Sequence, residues 1–260
     1  QQLFDIFYPE LSIAKGTSVE GAINSNTDNF SLLFKSDKVG IETAEFSSIN
    51  IAGTTGANGL DLRTSIQEIS FADELTIDNL KLNGITRHDT ASITMSLEGE
   101  DSLKSQAKIR FDTQFLQTGY TTIKLVPEVL RLDGADWTID NHNYILIDSS
   151  GLLLNDINLS SGVQQVNIEG IASKDTTGKM LVEFKDFESG NLNDLLKLYD
   201  INIGGKTNGT ARISSVLKRP AISADLQIET LRWYSDTLGD ATVNSNFNGK
   251  DGVVDVNAIV

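Results

Sequence analysis

Cysteine is absent from this 260-residue chain, which excludes disulfides and thiolate-held metals; a cysteine-free chain suits an oxidising compartment. Prolines number three, Pro9, Pro127 and Pro220, so little interrupts the backbone hydrogen bonding of a sheet. The two histidines, His88 in TRHDT and His142 in DNHNY, sit in polar, turn-like surroundings. Neither has a second histidine at metal-ligand spacing, so each reads as a surface residue. Aromatics make up 7% of the chain, and no apolar run approaches the roughly 18 residues of a membrane-spanning helix. Basic residues are outnumbered 21 to 36, giving a net charge of -15. That balance argues against a nucleic-acid partner, whose phosphates need clustered Lys and Arg. It also repels anionic lipid head groups, so lipid contact would have to run through acyl chains.

What is present is globular in composition, 39% hydrophobic and 22% charged. Short runs alternate apolar and polar residues: VEGAI (19–23), ASITMSL (91–97), AKIRF (107–111) and VQQVNIEGI (163–171). Period two marks half-buried strands. Between such runs lie SNTDN, GTTGANG, KDTTGK and NGKDG, whose residues tolerate positive φ and so signal turns. The chain opens Gln1-Gln2, shows no signal peptide and stops inside the alternating run Val254, Val256, Ala258, Val260. It reads as one elongated β-rich segment, 1–260, cut from a longer protein, with sub-modules 1–125, 126–200 and 201–260.

One segment has a helical period. In GNLNDLLKLYD, Leu192, Leu195, Leu196 and Tyr199 fall at i, i+3, i+4 and i+7, which predicts a short helix over 191–200 with Asn191 as N-cap.

Three octamers, LTIDNLKL (75–82), LLLNDINL (152–159) and LQIETLRW (226–233), carry apolar residues at positions one, three, six and eight; AEFSSINI (44–51) is a looser copy. In an uninterrupted strand the spacing of three between the middle pair would send the two halves to opposite faces. A bulge of one extra residue restores them to one face. Copies at this interval suggest a module of several strands used repeatedly.

Catalytic motifs are lacking. Gly205-Lys206-Thr207 resembles the end of a phosphate-binding loop, but the glycine needed five positions before Gly205 is Asp200, and no long helix follows. Gly204 and Gly205 read as the exit from the helix, and Asn208-Gly209 as a tight turn. Asp133, Asp136 and Asp140 lack the ladder and closing Glu of a calcium loop and read as a turn from which Trp137 returns to the sheet. No Gly-x-Ser-x-Gly elbow occurs. Asn29, Asn158 and Asn208 head Asn-x-Ser/Thr triplets, as expected by chance at this Asn content. The chain is expected to be non-enzymatic and to need no cofactor.

Two regions, 203–247 and 130–173, carry a family likeness. The first contains Asn208-Gly209, x-Pro220-x-Ile222, Leu226-x-Ile228 and, as a connection, Leu238-Gly239-Asp240. The second contains Trp137, LNDINL and the Gln164 to Gly170 run. These resemble the repeating unit of the TamB family, the AsmA-like proteins of the Gram-negative periplasm, over about a third of the chain. The resemblance implies a mainly β fold: an elongated, curved antiparallel sheet forming an open, taco-like groove. It implies a parent protein anchored in the inner membrane and bridging to the outer membrane. It implies shielding of phospholipid acyl chains, and an outer-membrane barrel partner in translocation and assembly. With the recurrent octamer, it nominates Leu75, Ile77, Leu80, Leu82, Leu152, Leu154, Ile157, Leu159, Leu226, Ile228 and Leu231 as the lipid-facing residues. The alternative is a structural or adhesive β-solenoid of stacked parallel coils, with a filled core and a surface that binds protein or glycan. A glycan-active enzyme would need two carboxylates facing across a cleft. An outer-membrane barrel fits poorly, since its strands need about ten alternating residues and these runs are shorter.

Overall fold

The structure, a computed structural model, describes residues 11–41, 43–56, 59–71, 75–98, 106–173, 178–193, 201–215, 221–248 and 253–259. The chain divides into two compact units, Gln1–Gln114 with Val126–Gly134 and Phe115–Leu125 with Ala135–Val260. The fold is mainly β and antiparallel, as expected.

The first unit holds β1 (Leu11–Ile13), β2 (Ser18–Asn24), β3 (Asn29–Ile41), β4 (Ala44–Gly56), β5 (Gly59–Phe71), β6 (Leu75–Arg87), β7 (Thr90–Glu98) and most of β8 (Gln106–Phe115). From β3 to β8 each strand pairs antiparallel with the next, and β1 and β2 share the outer edge of β3. β9 (Thr121–Leu132) contributes to both units. The second unit adds β10 (Ala135–Asp136), β11 (Thr138–Ile139), β12 (Tyr144–Ile147), β13 (Gly151–Ser161), β14 (Gln164–Ser173), β15 (Lys179–Glu188), β16 (Ile203–Ser214), β17 (Ala221–Trp233), β18 (Asp236–Asn248) and β19 (Val253–Ile259). From β12 to β19 each strand again pairs antiparallel with its successor. Among the described residues no pairing closes either run into a barrel, and the parallel coils of a β-solenoid do not occur. Reversals use residues that tolerate positive φ, among them Asp28 (51°), His88 (51°), Asp133 (47°) and Gly162 (59°).

Several expectations are corrected. β3, β4, β5, β6, β17 and β18 each run 13 residues, longer than the alternating runs implied and about 43 Å at 3.3 Å per residue. GTTG of GTTGANG belongs to β4. VEGAI lies in β2 but is not half-buried: among the described residues β2 pairs with β3 alone, and Val19 and Ile23 are 66% and 81% exposed. Gly204, Gly205 and Asn208-Gly209 all lie inside β16, so none is a helix exit or a turn. Leu238-Gly239-Asp240 lies inside β18, and the connection before it is Tyr234-Ser235. A 3-10 turn, Ser189–Leu192, leads to Asn193 in the helical region. Residues 194–200, with Leu195, Leu196 and Tyr199, fall outside the described residues. Asn191 is inside that turn, and its Nδ2 donates to Gln164 Oε1 at 3.0 Å.

The octamers have a single structural explanation. Ser48, Asn79, Asp156 and Thr230, the fifth residue of each copy, are all left-handed within a strand, with φ of 51–53°. Asp186 (48°) marks a further copy, VEFKDF (182–187), in β15. In the second unit the expected extra residue is there: registers shift at Leu154/Ile157, Phe184/Phe187 and Ile228/Leu231. The first unit differs, because β4 and β6 keep register with their neighbours through Ser48 and Asn79. There Asp37, Ser48, Gln67 and Asn79 form one exposed cross-strand row, and the alternation reverses along that whole row. Ser36 and Val39, and Ile66 and Ile69, turn inward around two consecutive exposed residues, Asp37-Lys38 and Gln67-Glu68.

The motifs mistaken for turns serve these bulges. An extra residue leaves a backbone N–H without a ladder partner. Asn208 Oδ1 accepts the Asp186 N–H, and Asp240 Oδ1 accepts the Thr230 N–H, each at 2.9 Å. Glycines flank them: Phe184 pairs with Gly209 and Leu231 with Gly239, while Leu154 pairs with Gly170. Gly209 has φ of 129°, and a Cβ there would stand 2.2 Å from the Asp225 carbonyl oxygen. Only glycine fits.

Candidate functional site

Cross-strand rows show which nominated residues share a face. In the first unit Leu80 lies in line with Ile66, Ile49 and Ser36, and Leu82 with Thr64, Ile51 and Phe34. Beyond the reversal, Ile77 joins Ile69, Phe46 and Val39, and Leu75 joins Phe71, Ala44 and Ile41. The row between the first two is polar: Ser65 with Asn50, Lys81 and Lys35. Four buried residues, Ser36, Val39, Ile49 and Ile69, lie beside the reversal. Ser36 is satisfied there, its Oγ 2.6 Å from Thr17 Oγ1 and donating to the Lys38 carbonyl.

In the second unit Leu154 aligns with Met180, Ile213 and Ile222. Ile157 aligns with Ile168, Val182, Ala211 and Ala224, and Leu159 with Val166, Phe184, Gly209 and Leu226. The LLLNDINL and LQIETLRW copies are thereby joined across five strands into one apolar face. Alternate rows, such as Asn158, Asn167, Glu183, Thr210 and Asp225, are polar. Leu152 stands one row further out, beside Ala172 and Ile147. On β17, Leu226, Ile228 and Leu231 are shielded while Gln227, Glu229, Thr230 and Arg232 are exposed, so the bulge keeps all three on one side. Ile157 and Ile228 are buried; Ile77, Leu80, Leu82, Leu152, Leu154, Leu159, Leu226 and Leu231 are half-buried. Leu75 is placed in its strand only.

Sequence reasoning missed a buried aromatic cluster. Trp137 and Phe187 are each 4% exposed, with ring centroids 6.0 Å apart, and Phe184 is 5.4 Å from Phe187. Ile139 is also buried and pairs with Leu159 through β11 and β13. The short segment from β10 to β11 therefore packs an aromatic cluster at one end of the second unit. Asn143 ties it down: its amide donates to the Leu125 carbonyl and accepts the Leu125 N–H. The signal available was Trp137 between turn residues, read correctly as returning to the sheet.

Charges are paired across strands on the polar side. Lys206 lies 2.7 Å from Glu229 and 3.7 Å from Asp186, and its pKa is raised chiefly by the Glu229 hydrogen bond. Lys108 at 2.7 Å holds the Glu128 carboxyl below its usual range. The Asp140 carboxylate is likewise lowered, first by the backbone N–H of His142 and then by its ring. All these groups are solvent-accessible and stabilise little. Among the described residues no group of three or more acidic or histidine side chains is placed to hold a metal, and no helix is long and apolar enough to cross a membrane.

Fold and site together define a class: an antiparallel β protein with an open sheet of alternating apolar and polar rows. No family model, curated protein or solved structure matches the chain.

Proposed function

We propose that this chain is a non-enzymatic segment of a TamB/AsmA-like periplasmic protein whose apolar sheet faces shield phospholipid acyl chains. The carrying observation is that eight of the nominated residues stay half-buried although they occupy interior strands. Sheet faces of Leu, Ile and Val need a covering, and flexible acyl chains match them in chemistry. The polar opposite rows and the charge of -15 keep the other side in water and away from anionic head groups. On the same reading the parent is anchored in the inner membrane, bridges to the outer membrane and works with a barrel partner in assembly there.

A photoreactive residue at Leu154 or Leu226, with Asn167 of the polar row as control, tests this in the full-length parent in cells. Ultraviolet light should attach phospholipid at the first two positions and not at the third. Attachment to protein alone at Leu154 and Leu226 would sink the proposal.

A further inference from the structure

Among the described residues β2, SVEGAIN, pairs with β3 alone, so the backbone groups along its other side meet no described strand. Natural sheet edges carry lysine, proline or a bulge against pairing with another chain. β2 has none of these, and its one charge is Glu20. Val19 and Ile23, 66% and 81% exposed, stand on the apolar side of the first unit: Val19 is in row with Phe34, Ile51 and Leu82, and Ile23 is beside Phe30. Both ends of the strand are fixed. Before it the chain turns at Lys15-Gly16, where Thr17 Oγ1 donates to the Ala14 carbonyl at 2.8 Å. After it Asn24 Oδ1 accepts the Asn26 N–H at 3.0 Å and holds the turn to β3. A strand added to this side can therefore use the 7 residues of β2 and no more.

We infer that β2 is a self-pairing edge that joins two copies of this chain across a two-fold axis at Gly21. Antiparallel pairing over the whole strand has one register, with the midpoint Gly21 opposite the partner's Gly21. Val19 then faces the partner's Ile23, Ile23 faces the partner's Val19, and Glu20 faces the partner's Ala22. Apolar side chains meet across the junction and no like charges stand opposed. A two-fold axis normal to the sheet also keeps the apolar rows of both first units on one side. The contact uses the same patch on each copy and closes at two. Its length puts it at the small end of protein interfaces, so the association is weak.

Sedimentation and disulfide trapping test it. In a concentration series the chain should pass reversibly from monomer to a species of twice its mass. Val19→Lys removes both Val19–Ile23 contacts and should weaken that association about tenfold; far-ultraviolet circular dichroism checks that the variant folds. The chain has no cysteine of its own, so Val19→Cys and Ile23→Cys chains report the register. Mixed under mild oxidation they should form a linked dimer. Either chain alone should not, because Val19 and the partner's Val19 are offset by about 13 Å along the strand, beyond disulfide reach. A monomer at every concentration would overturn the inference, as would cross-linking of either chain alone as readily as the mixture. A dimer that Val19→Lys leaves intact would lie elsewhere on the molecule and overturn it too. Growth past the dimer would mean a head-to-tail contact with a different edge and would overturn the two-fold pairing.

Discussion

Replacing Asn79 with valine sets two physical rules against each other. Asn79 is exposed in the middle of β6, opposite Gln67, so packing contributes little to the outcome. By strand propensity alone valine should gain up to about 1 kcal/mol over asparagine. Yet Asn79 has φ of 53°, a conformation asparagine visits readily and a β-branched residue adopts only as an outlier. The left-handed state costs an ordinary L-residue roughly 1–2 kcal/mol, and valine has the Cβ branching that makes it worst. The alternative, relaxing to an extended residue, restores strict alternation and sends Ile77 to the polar side. Either way Asn79→Val should destabilise by about 1–2 kcal/mol, a fall of about 0.5–1 M in the urea midpoint at a slope of about 2 kcal/mol/M. Urea unfolding followed by circular dichroism, with hydrogen exchange on β5 and β6 to isolate the first unit, reads the change. An unchanged or raised midpoint would show that the reversal at this row does not depend on the left-handed residue, and the account of the octamers would fail.

Gly209→Ala should be among the most damaging single changes: it combines positive φ with a Cβ 2.2 Å from a backbone oxygen, and calorimetry should show a loss of several kcal/mol. Trp137→Ala should cost about 3–5 kcal/mol in chemical denaturation. Trp137→Phe should cost much less than the alanine change, because the buried indole N–H has no hydrogen-bond partner to lose. Glu128 has a lowered pKa, so its pairing with Lys108 contributes stability above the ordinary value of 4.5 and loses it as pH falls through the lowered value. Glu128→Gln should therefore flatten the pH dependence of stability below about pH 4.5, measured by thermal melts in a pH series.

The sequence by itself determined a good deal. Period-two alternation, scarce proline and Asn/Asp/Gly turns specify antiparallel strands, because side-chain period and turn chemistry are local properties. The spacing of three inside LTIDNLKL, LLLNDINL and LQIETLRW identified where alternation must break. VEFKDF escaped notice because its second apolar pair is incomplete: Phe187 is followed by Glu188 and then Ser189. Strand length was underestimated for the same cause, since each reversal makes one 13-residue strand look like two short runs. Tertiary structure alone decided how each break is accommodated. A bulge depends on the partner strand, so Asn208-Gly209 and Gly239-Asp240, turn-like in isolation, become clamps once Asp186 and Thr230 lie across from them. The joining of Leu154, Ile157 and Leu159 to Leu226 likewise depends on four successive registers that no local pattern encodes. Placement of Trp137 over Phe187 needs β10 and β11 to return across a residue fifty positions away in sequence. Local physics chose the strands, and pairing chose which of their residues meet.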